Sequence, residues 1–284
     1  MLTCLFWNFK CDCRNQESIV ACMAIEKKVD ILVLAETTVD ADVLLSELRL
    51  SDPAYDRPDF QHYRFQIFTR FPGHLLEPFK DDDRVSIRKL KFPGKLEILL
   101  AAIHFYDRRN HDRSSQHTKA ASVNQTIRQA EVVADHTRTI VFGDFNMNPF
   151  EAGMIDTEIG FGAMMTRDLA SRHTELEVRG AQLFFNPMWS RLGRQTPEPP
   201  GTHYWDSVQD PFNIFWQSLD QVLVRPSLFG SFPDNRFHVL TSILFPDGET
   251  VELIRNTGKH WELRFSDHLP ILFALDLLAE DADA

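Results

Sequence analysis

Short apolar runs, each bordered by polar residues that recur at their ends, constrain this chain more than any other feature. Asn8 follows Leu5-Phe6-Trp7, Glu36 follows the run 31–35, and His104 ends the run 98–103. Asp144 and Asn146 follow the run 140–142, Asp220 opens Val222-Leu223-Val224, and Asp267-His268 precedes Leu269-Pro270-Ile271-Leu272. Runs this short and bounded by charge suit strands buried on both faces. None approaches the ~20 residues that span a bilayer.

Helical spacing appears between the runs. Ile19, Val20, Met23 and Ala24 predict a helix over 17–28, and a second is expected over 40–50. A long polar helix over 114–136 carries Ala120, Val123, Ile127 and Ala130 on one stripe. Successive strands are expected through 63–105 and at 139–142, with closing strands at 219–224, 236–245 and 269–277. Residues 150–215, with Pro187, Pro197, Pro199 and Pro200, read as a loop-rich excursion anchored by aromatic residues such as Phe184, Phe185, Trp189, Tyr204 and Trp205. One domain over 1–278 and an acidic tail over 279–284 account for the chain. Many successive strands mixed with helices suggest an α/β fold, with two sheets face to face and helices outside.

Composition narrows the partners. With 284 residues and 43% hydrophobic content, the chain can bury a substantial core. A net charge of −11 argues against a strong non-specific coat on nucleic acid, because such binding grows with each phosphate neutralised. Acidic balance agrees with a carboxylate-lined metal centre. Cys4, Cys11, Cys13 and Cys22 lack the paired spacing of structural zinc sites and read as reduced thiols. Met1 leads directly into apolar residues with no basic segment before them, so a soluble, cytoplasmic protein is expected.

The residues at the run ends supply three Asp, one Glu, two Asn and two His, and loops at strand ends are where rigid scaffolds present reactive groups. Carboxylate oxygens suit Mg²⁺, which keeps its other positions for water and substrate phosphate. His beside Asp suits proton transfer, and Asn adds hydrogen bonds without negative charge. No G-x-S-x-G elbow and no G-x-x-x-x-G-K-[ST] loop occurs.

Trp7-Asn8, Leu34-Ala35-Glu36-Thr37, Ile103-His104, Gly143-Asp144-Phe145-Asn146, Leu219-Asp220 and Ser266-Asp267-His268 appear in that order. The series resembles the endonuclease/exonuclease/phosphatase superfamily, in the manner of deoxyribonuclease I and exonuclease III, from residue 7 to residue 272. The resemblance implies a four-layered α/β sandwich of two mixed, mostly antiparallel sheets. It implies Mg²⁺ or Mn²⁺ held by Glu36, with Asn8 nearby and Asp267 assisting. Asp144 would align or deprotonate the attacking water, and Asn146 would hold the phosphate. His268, oriented by Asp220, would contact phosphate and share in proton transfer, and His104 would bind phosphate or assist the leaving oxygen. The chain departs from the pattern at Ala35, where members often carry Gln, and at Phe9-Lys10-Cys11. It also lacks the aromatic residue common after Asp220.

Plainer readings stand beside these roles. Asp144 and Asn146 also suit an Asx turn before Pro149, and a lone His104 suits a core position. Arg84, Arg88, Lys89, Lys91 and Lys95 read as the solvated face of a strand in preference to a phosphate track. His111, His117, His203 and His260 read as surface residues. Arg108 and Arg109, after His104, suit a polyanion at the site rim. Tyr204 and Trp205 resemble the aromatic segment that exonuclease III relatives hold near a flipped nucleotide, with core packing as the plainer use. The expected function is a metal-dependent nuclease acting on DNA or RNA, with a partner protein as one means of delivering substrate. The alternative is a phosphatase or phosphodiesterase acting on a small-molecule or lipid phosphate.

Overall fold

A computed structural model describes residues 1–11, 13–172, 182–192, 198–206, 213–258 and 260–279. Pro197 and residues 280–284 of the expected acidic tail lie outside them. In chain order the first elements are β1 (Leu2–Asn8), α1 (Gln16–Glu26), β2 (Ile31–Ala35), α2 (Ala41–Ser51) and β3 (Phe65–Thr69). Then come β4 (Leu76–Asp81), β5 (Val85–Leu90), β6 (Ile98–His104), α3 (Arg113–Ala134) and β7 (Thr139–Asp144). The excursion holds α4 (Ala152–Ile155), β8 (Ala163–Met164), α5 (Arg167–Ser171), β9 (Phe184–Phe185), β10 (His203–Tyr204) and β11 (Trp216–Gln217). The chain closes with β12 (Asp220–Val224), β13 (His238–Val239), β14 (Ser242–Leu244), β15 (Thr250–Glu252), β16 (Ile254–Asn256), β17 (Trp261–Leu263) and β18 (Ile271–Leu275).

These elements fall into two compact units. The first comprises residues 1–75, 196–217 and 235–275, and the second residues 76–195, 218–234 and 276–284. The first unit contains a five-stranded sheet in the order β13-β18-β1-β2-β3, and the second a seven-stranded sheet in the order β4-β5-β6-β7-β12-β9-β8. The sequence shows no repeat, yet one pattern occurs twice. β1 and β2 run parallel, joined through α1, with β18 and β3 antiparallel on either side. β6 and β7 likewise run parallel, joined through α3, with β5 and β12 antiparallel on either side. A parallel pair needs a crossover of a dozen residues or more, which each helix supplies together with the turns that flank it.

Local chemistry sets the helix ends. The Asp40 carboxylate accepts from Asp42 N and Val43 N at the start of α2, and that of Asp112 accepts from Ser115 N at the start of α3. Asp135 ends α3 in the left-handed conformation. The stripe of Ala120, Val123, Ile127 and Ala130 packs on Val85, Ile87, Leu99, Ala101 and Val141 in one buried cluster. Arg225, fully buried, donates from Nε and Nη2 to the two carboxylate oxygens of Glu131 at 2.8 and 3.0 Å. Its guanidinium lies 3.6 Å from the Phe184 ring centroid, so one side chain ties β12 to α3 and β9.

Several expectations need correction. Residues 236–245 form two strands: β13 joins the five-stranded sheet, and β14 pairs with β15. That hairpin and the β16–β17 hairpin turn at Gly248 and Gly258, both at positive φ, in strands too short to show a period. The basic stretch is not a solvated face. Arg88 is buried against Asp81, while Lys89 and Lys91 reach Glu97 at 3.0 and 3.8 Å, because neighbouring strands bring acids that local sequence cannot show. Cys11 and Cys13 form a disulfide, their Cα atoms 5.3 Å apart and within bridging range; Cys4 and Cys22 are free. Among the described residues no helix is long and apolar enough to cross a membrane.

Candidate active site

The strand pattern decides where the expected residues fall. Parallel strands end at the same edge of a sheet, and an antiparallel neighbour begins there. In the first unit Asn8 ends β1 in register with Ala35, the last residue of β2, and Glu36 follows at once. Residues 266–268 enter β18 at that edge: Ser266 Oγ donates to Asn8 O at 2.7 Å, and Trp7 Nε1 donates to His268 O at 2.9 Å. Ser266 Oγ also accepts from Lys10 N and His268 N, each at 3.3 Å. The serine is thus a hub that fixes Asn8, Lys10 and His268 together. The sequence offered it only as the first letter of Ser-Asp-His.

Asn8 Nδ2 donates to Glu36 Oε1 at 3.4 Å, and the Lys10 ammonium stands 3.6 Å from Glu36 Oε2. Glu36 holds φ +49, a left-handed value that non-glycine residues seldom adopt. The Glu36 carboxylate and the Asn8 amide supply oxygen donors of the kind Mg²⁺ or Mn²⁺ takes. An ammonium already faces that carboxylate as a stand-in for a cation. Lys10 is 62% exposed and able to swing aside. The residues fit a hard divalent ion.

In the second unit His104, Asp144 and Asp220 stand abreast. His104 pairs with Asp144 across β6–β7, and Asp144 pairs with Asp220 across β7–β12. In-register neighbours project from the same face of a sheet. All three are buried, Asp144 at 1% and Asp220 at 0% exposure. Two buried carboxylates side by side need a cation, a proton or strong donors to offset their repulsion.

The loop after β7 is built to hold this row. Gly143 has φ +136, and a Cβ there would lie 2.1 Å from Ile103 O, so only glycine fits. Asp144 Oδ1 accepts from Asn146 N at 2.8 Å, the expected Asx turn. Asn146, at φ +50, donates from Nδ2 to Phe105 O at 3.1 Å and to Asp144 Oδ2 at 3.3 Å. Gln116, inside α3, donates to Asn146 O, and Asn148 Oδ1 accepts from Ser218 N just ahead of Asp220. The turn and the row of candidate residues share Asp144.

Other expected residues are placed differently. Arg108 is bound to Glu151, which also pairs with Arg113 at 3.8 Å, while Arg109 is exposed. Tyr204 is half-buried against Trp216, with ring centroids 5.2 Å apart, and Trp216 meets Trp261 at 5.7 Å. Trp205 is 43% exposed, so core packing does not describe it. Phe215, 47% exposed and at φ +64, joins the same aromatic strip. None of the four histidines left as surface residues stands alone. His117 meets Asp156 at 2.9 Å, His260 meets Glu262 at 3.2 Å, His111 packs on Tyr106, and His203 packs on His268.

The fold is that of a family whose members are phosphoric ester hydrolases. The chain belongs to the endonuclease/exonuclease/phosphatase family, whose model matches residues 5–268. Among solved structures it resembles a family protein from Bacteroides thetaiotaomicron at 16% identity, covering 100% of this chain and 97% of that one, with a TM-score of 0.53. It also resembles the 3′ phosphatase NExo from Neisseria bound to product DNA hairpin, at 15% identity, 97% and 100% coverage and a TM-score of 0.53. The human Nocturnin catalytic domain with bound sulfate anion is similar at 14% identity, 97% and 94% coverage and a TM-score of 0.51. At these identities the likeness speaks to the fold. No curated protein sequence matches the chain.

Proposed function

We propose that the chain is a Mg²⁺- or Mn²⁺-dependent phosphodiesterase, a nuclease acting on a short stretch of DNA or RNA. The observation that carries this reading is the in-register row of His104, Asp144 and Asp220 at one sheet edge. Within the first unit Asn8, Glu36 and residues 266–268 gather at one edge of the five-stranded sheet. Glu36 and Asn8, with Asp267, would hold the ion, which supplies charge to a phosphoryl oxygen and the leaving oxygen.

The chain's own residues carry the remaining chemistry. Asp144, held by the Asx turn, aligns the attacking water and takes its proton. Asn146 holds a phosphate oxygen, and His104 supports the phosphate or the leaving oxygen. His268 contacts phosphate and shares in proton transfer, with Asp220 as its orienting carboxylate. Attack is in line, with no covalent intermediate. The exposed strip of Trp205 and Phe215 beside Tyr204 offers faces on which unstacked bases rest, a contact worth about 1–3 kcal/mol per base. The charge of −11 limits the phosphate track, which favours a short tract over a long duplex.

One observation favours a second reading, hydrolysis of a small-molecule phosphate: Arg108 and Arg113 are engaged by Glu151. The test offers purified protein supercoiled plasmid, single-stranded DNA, RNA and soluble phosphomonoesters with Mg²⁺ or Mn²⁺. Cleavage of nucleic acid, abolished by EDTA and by Asp144→Ala, supports the nuclease. Turnover of soluble monoesters alone establishes the second reading. Activity that resists EDTA and survives Glu36→Ala overturns both.

A further inference from the structure

We propose that His203, Asp267 and His268 form a second cation site, selective for a borderline-soft divalent transition metal such as Zn²⁺. One ring nitrogen of each histidine and one carboxylate oxygen of Asp267 lie within 4.8 Å of one another. Ligand atoms around four-coordinate zinc stand about 3.3 Å apart at bond lengths of about 2.0–2.1 Å, so modest side-chain rotation closes the group. Two imidazoles and a carboxylate then leave a fourth position open, the pattern of a zinc site that accepts water or substrate. Imidazole donors separate this site from the all-oxygen set at Glu36 and Asn8, because Mg²⁺ takes oxygen and zinc takes nitrogen.

The backbone has fixed both histidines beforehand. His203 and His268 face each other across an isolated antiparallel bridge, with their ring centroids 4.7 Å apart. Leu269 N donates to Thr202 O at 2.7 Å, and Thr202 N donates to Gln217 O at 2.9 Å, which pins the segment carrying His203 from both sides. Gly201 makes this approach possible, since a Cβ there would lie 2.4 Å from Gln217 O.

The tautomer is fixed as well. His203 Nδ1 lies 2.7 Å from Asp267 O, a carbonyl that can only accept, so Nδ1 carries the hydrogen and Nε2 keeps its lone pair. A second ring nitrogen donating to a backbone carbonyl is the usual support of a metal-ligating histidine, orienting the ring and raising its basicity. Here the carbonyl belongs to Asp267, so one residue supplies both the outer support and a ligand.

The site shares Asp267 and His268 with the proposed reaction, but its test needs no turnover, so the failure of either leaves the other to be judged separately. Metal-free protein is titrated calorimetrically with Zn²⁺ in the presence of excess Mg²⁺, and Co²⁺ is followed by its visible ligand-field spectrum. The wild type is expected to bind one Zn²⁺ that Mg²⁺ does not displace, with a tetrahedral Co²⁺ spectrum. His203→Ala should lose that site or weaken it about 100-fold, since loss of an outer-shell partner alone costs about 10–100-fold. Glu36→Gln and His260→Ala should retain it. His203→Asn serves if the alanine variant fails to fold. Zn²⁺ binding by a folded His203 variant that superimposes on wild type, or Mg²⁺ displacing Zn²⁺ at parity, overturns the assignment.

Discussion

Gly143→Ala is the sharpest structural perturbation available, because two separable penalties meet at one residue. The first is conformational: Gly143 has φ +136, where an L side chain is strained by about 1–3 kcal/mol. The second is steric. The added methyl would sit 2.1 Å from Ile103 O and 3.0 Å from Ile103 N, and these atoms belong to the paired strand β6. A peptide in mid-sheet cannot yield as a side-chain tip can, so overpacking adds about 1–3 kcal/mol. The sum is about 2–6 kcal/mol. Gly94→Ala is the control, since Gly94 has φ +69 and nothing within 4 Å of an added Cβ, so it carries conformational strain alone. Urea unfolding followed by circular dichroism measures both. Gly143→Ala should lose about 1–3 kcal/mol more than Gly94→Ala, the overpacking term alone. Its hydrolytic rate should fall too, because a shift of β7 against β6 moves Asp144 away from His104. Equal losses in the two variants, with activity intact, would refute the reasoning.

Other outcomes follow from named contacts. Arg225→Met strands Glu131 without its partner in the interior and should cost about 3–5 kcal/mol; Arg225→Met with Glu131→Leu should recover most of it in the same unfolding assay. The His136 pKa is lowered, first by burial and then by Arg138, while its Nδ1 accepts from Arg138 N at 3.2 Å. A histidine whose folded value lies below its unfolded value of about 6.5 contributes stability that is present above pH 6.5 and lost as pH falls towards the folded value. His136→Gln should flatten the fall of stability over that interval; an unchanged pH profile counts against it. Ser266→Ala removes the hydroxyl shared by Asn8, Lys10 and His268 and should lower kcat more than it raises KM. Trp205→Ala with Phe215→Ala should raise KM for single-stranded nucleic acid about tenfold or more, at about 1–3 kcal/mol per lost stack, and leave soluble monoesters unaffected.

The strand ends were legible in the sequence because an apolar run with a polar terminus is a local pattern. One edge of the five-stranded sheet collects Asn8 and Glu36 because β1 and β2 are parallel, and one edge of the seven-stranded sheet collects His104, Asp144 and Asp220 because β6, β7 and β12 alternate in the right sense. Partners set by tertiary approach were hidden. Glu97, just before β6, reaches Lys89 and Lys91, and Glu151 claims Arg108 from well along the chain, so the acids that pair with these bases could not be read from local sequence. His203 lies sixty-odd residues before His268, and only their bridge pairs them. The hairpins β14–β15 and β16–β17 escaped because strands of three residues carry no period, though their glycines gave a turn signal. The Cys11–Cys13 bridge escaped because compartment reasoning from composition says nothing of two thiols held at close range.

The central claim is that Asp144 activates water for attack on a phosphate ester in a metal-dependent reaction. Single-turnover hydrolysis of a labelled single-stranded oligonucleotide by wild type and Asp144→Asn, with and without Mg²⁺, tests it directly. The account predicts cleavage only with the metal, and a rate for Asp144→Asn lower by about 10²–10⁴, the usual contribution of a positioned general base, with oligonucleotide binding retained. Cleavage by Asp144→Asn within tenfold of wild type, or at an equal rate in EDTA, would contradict it.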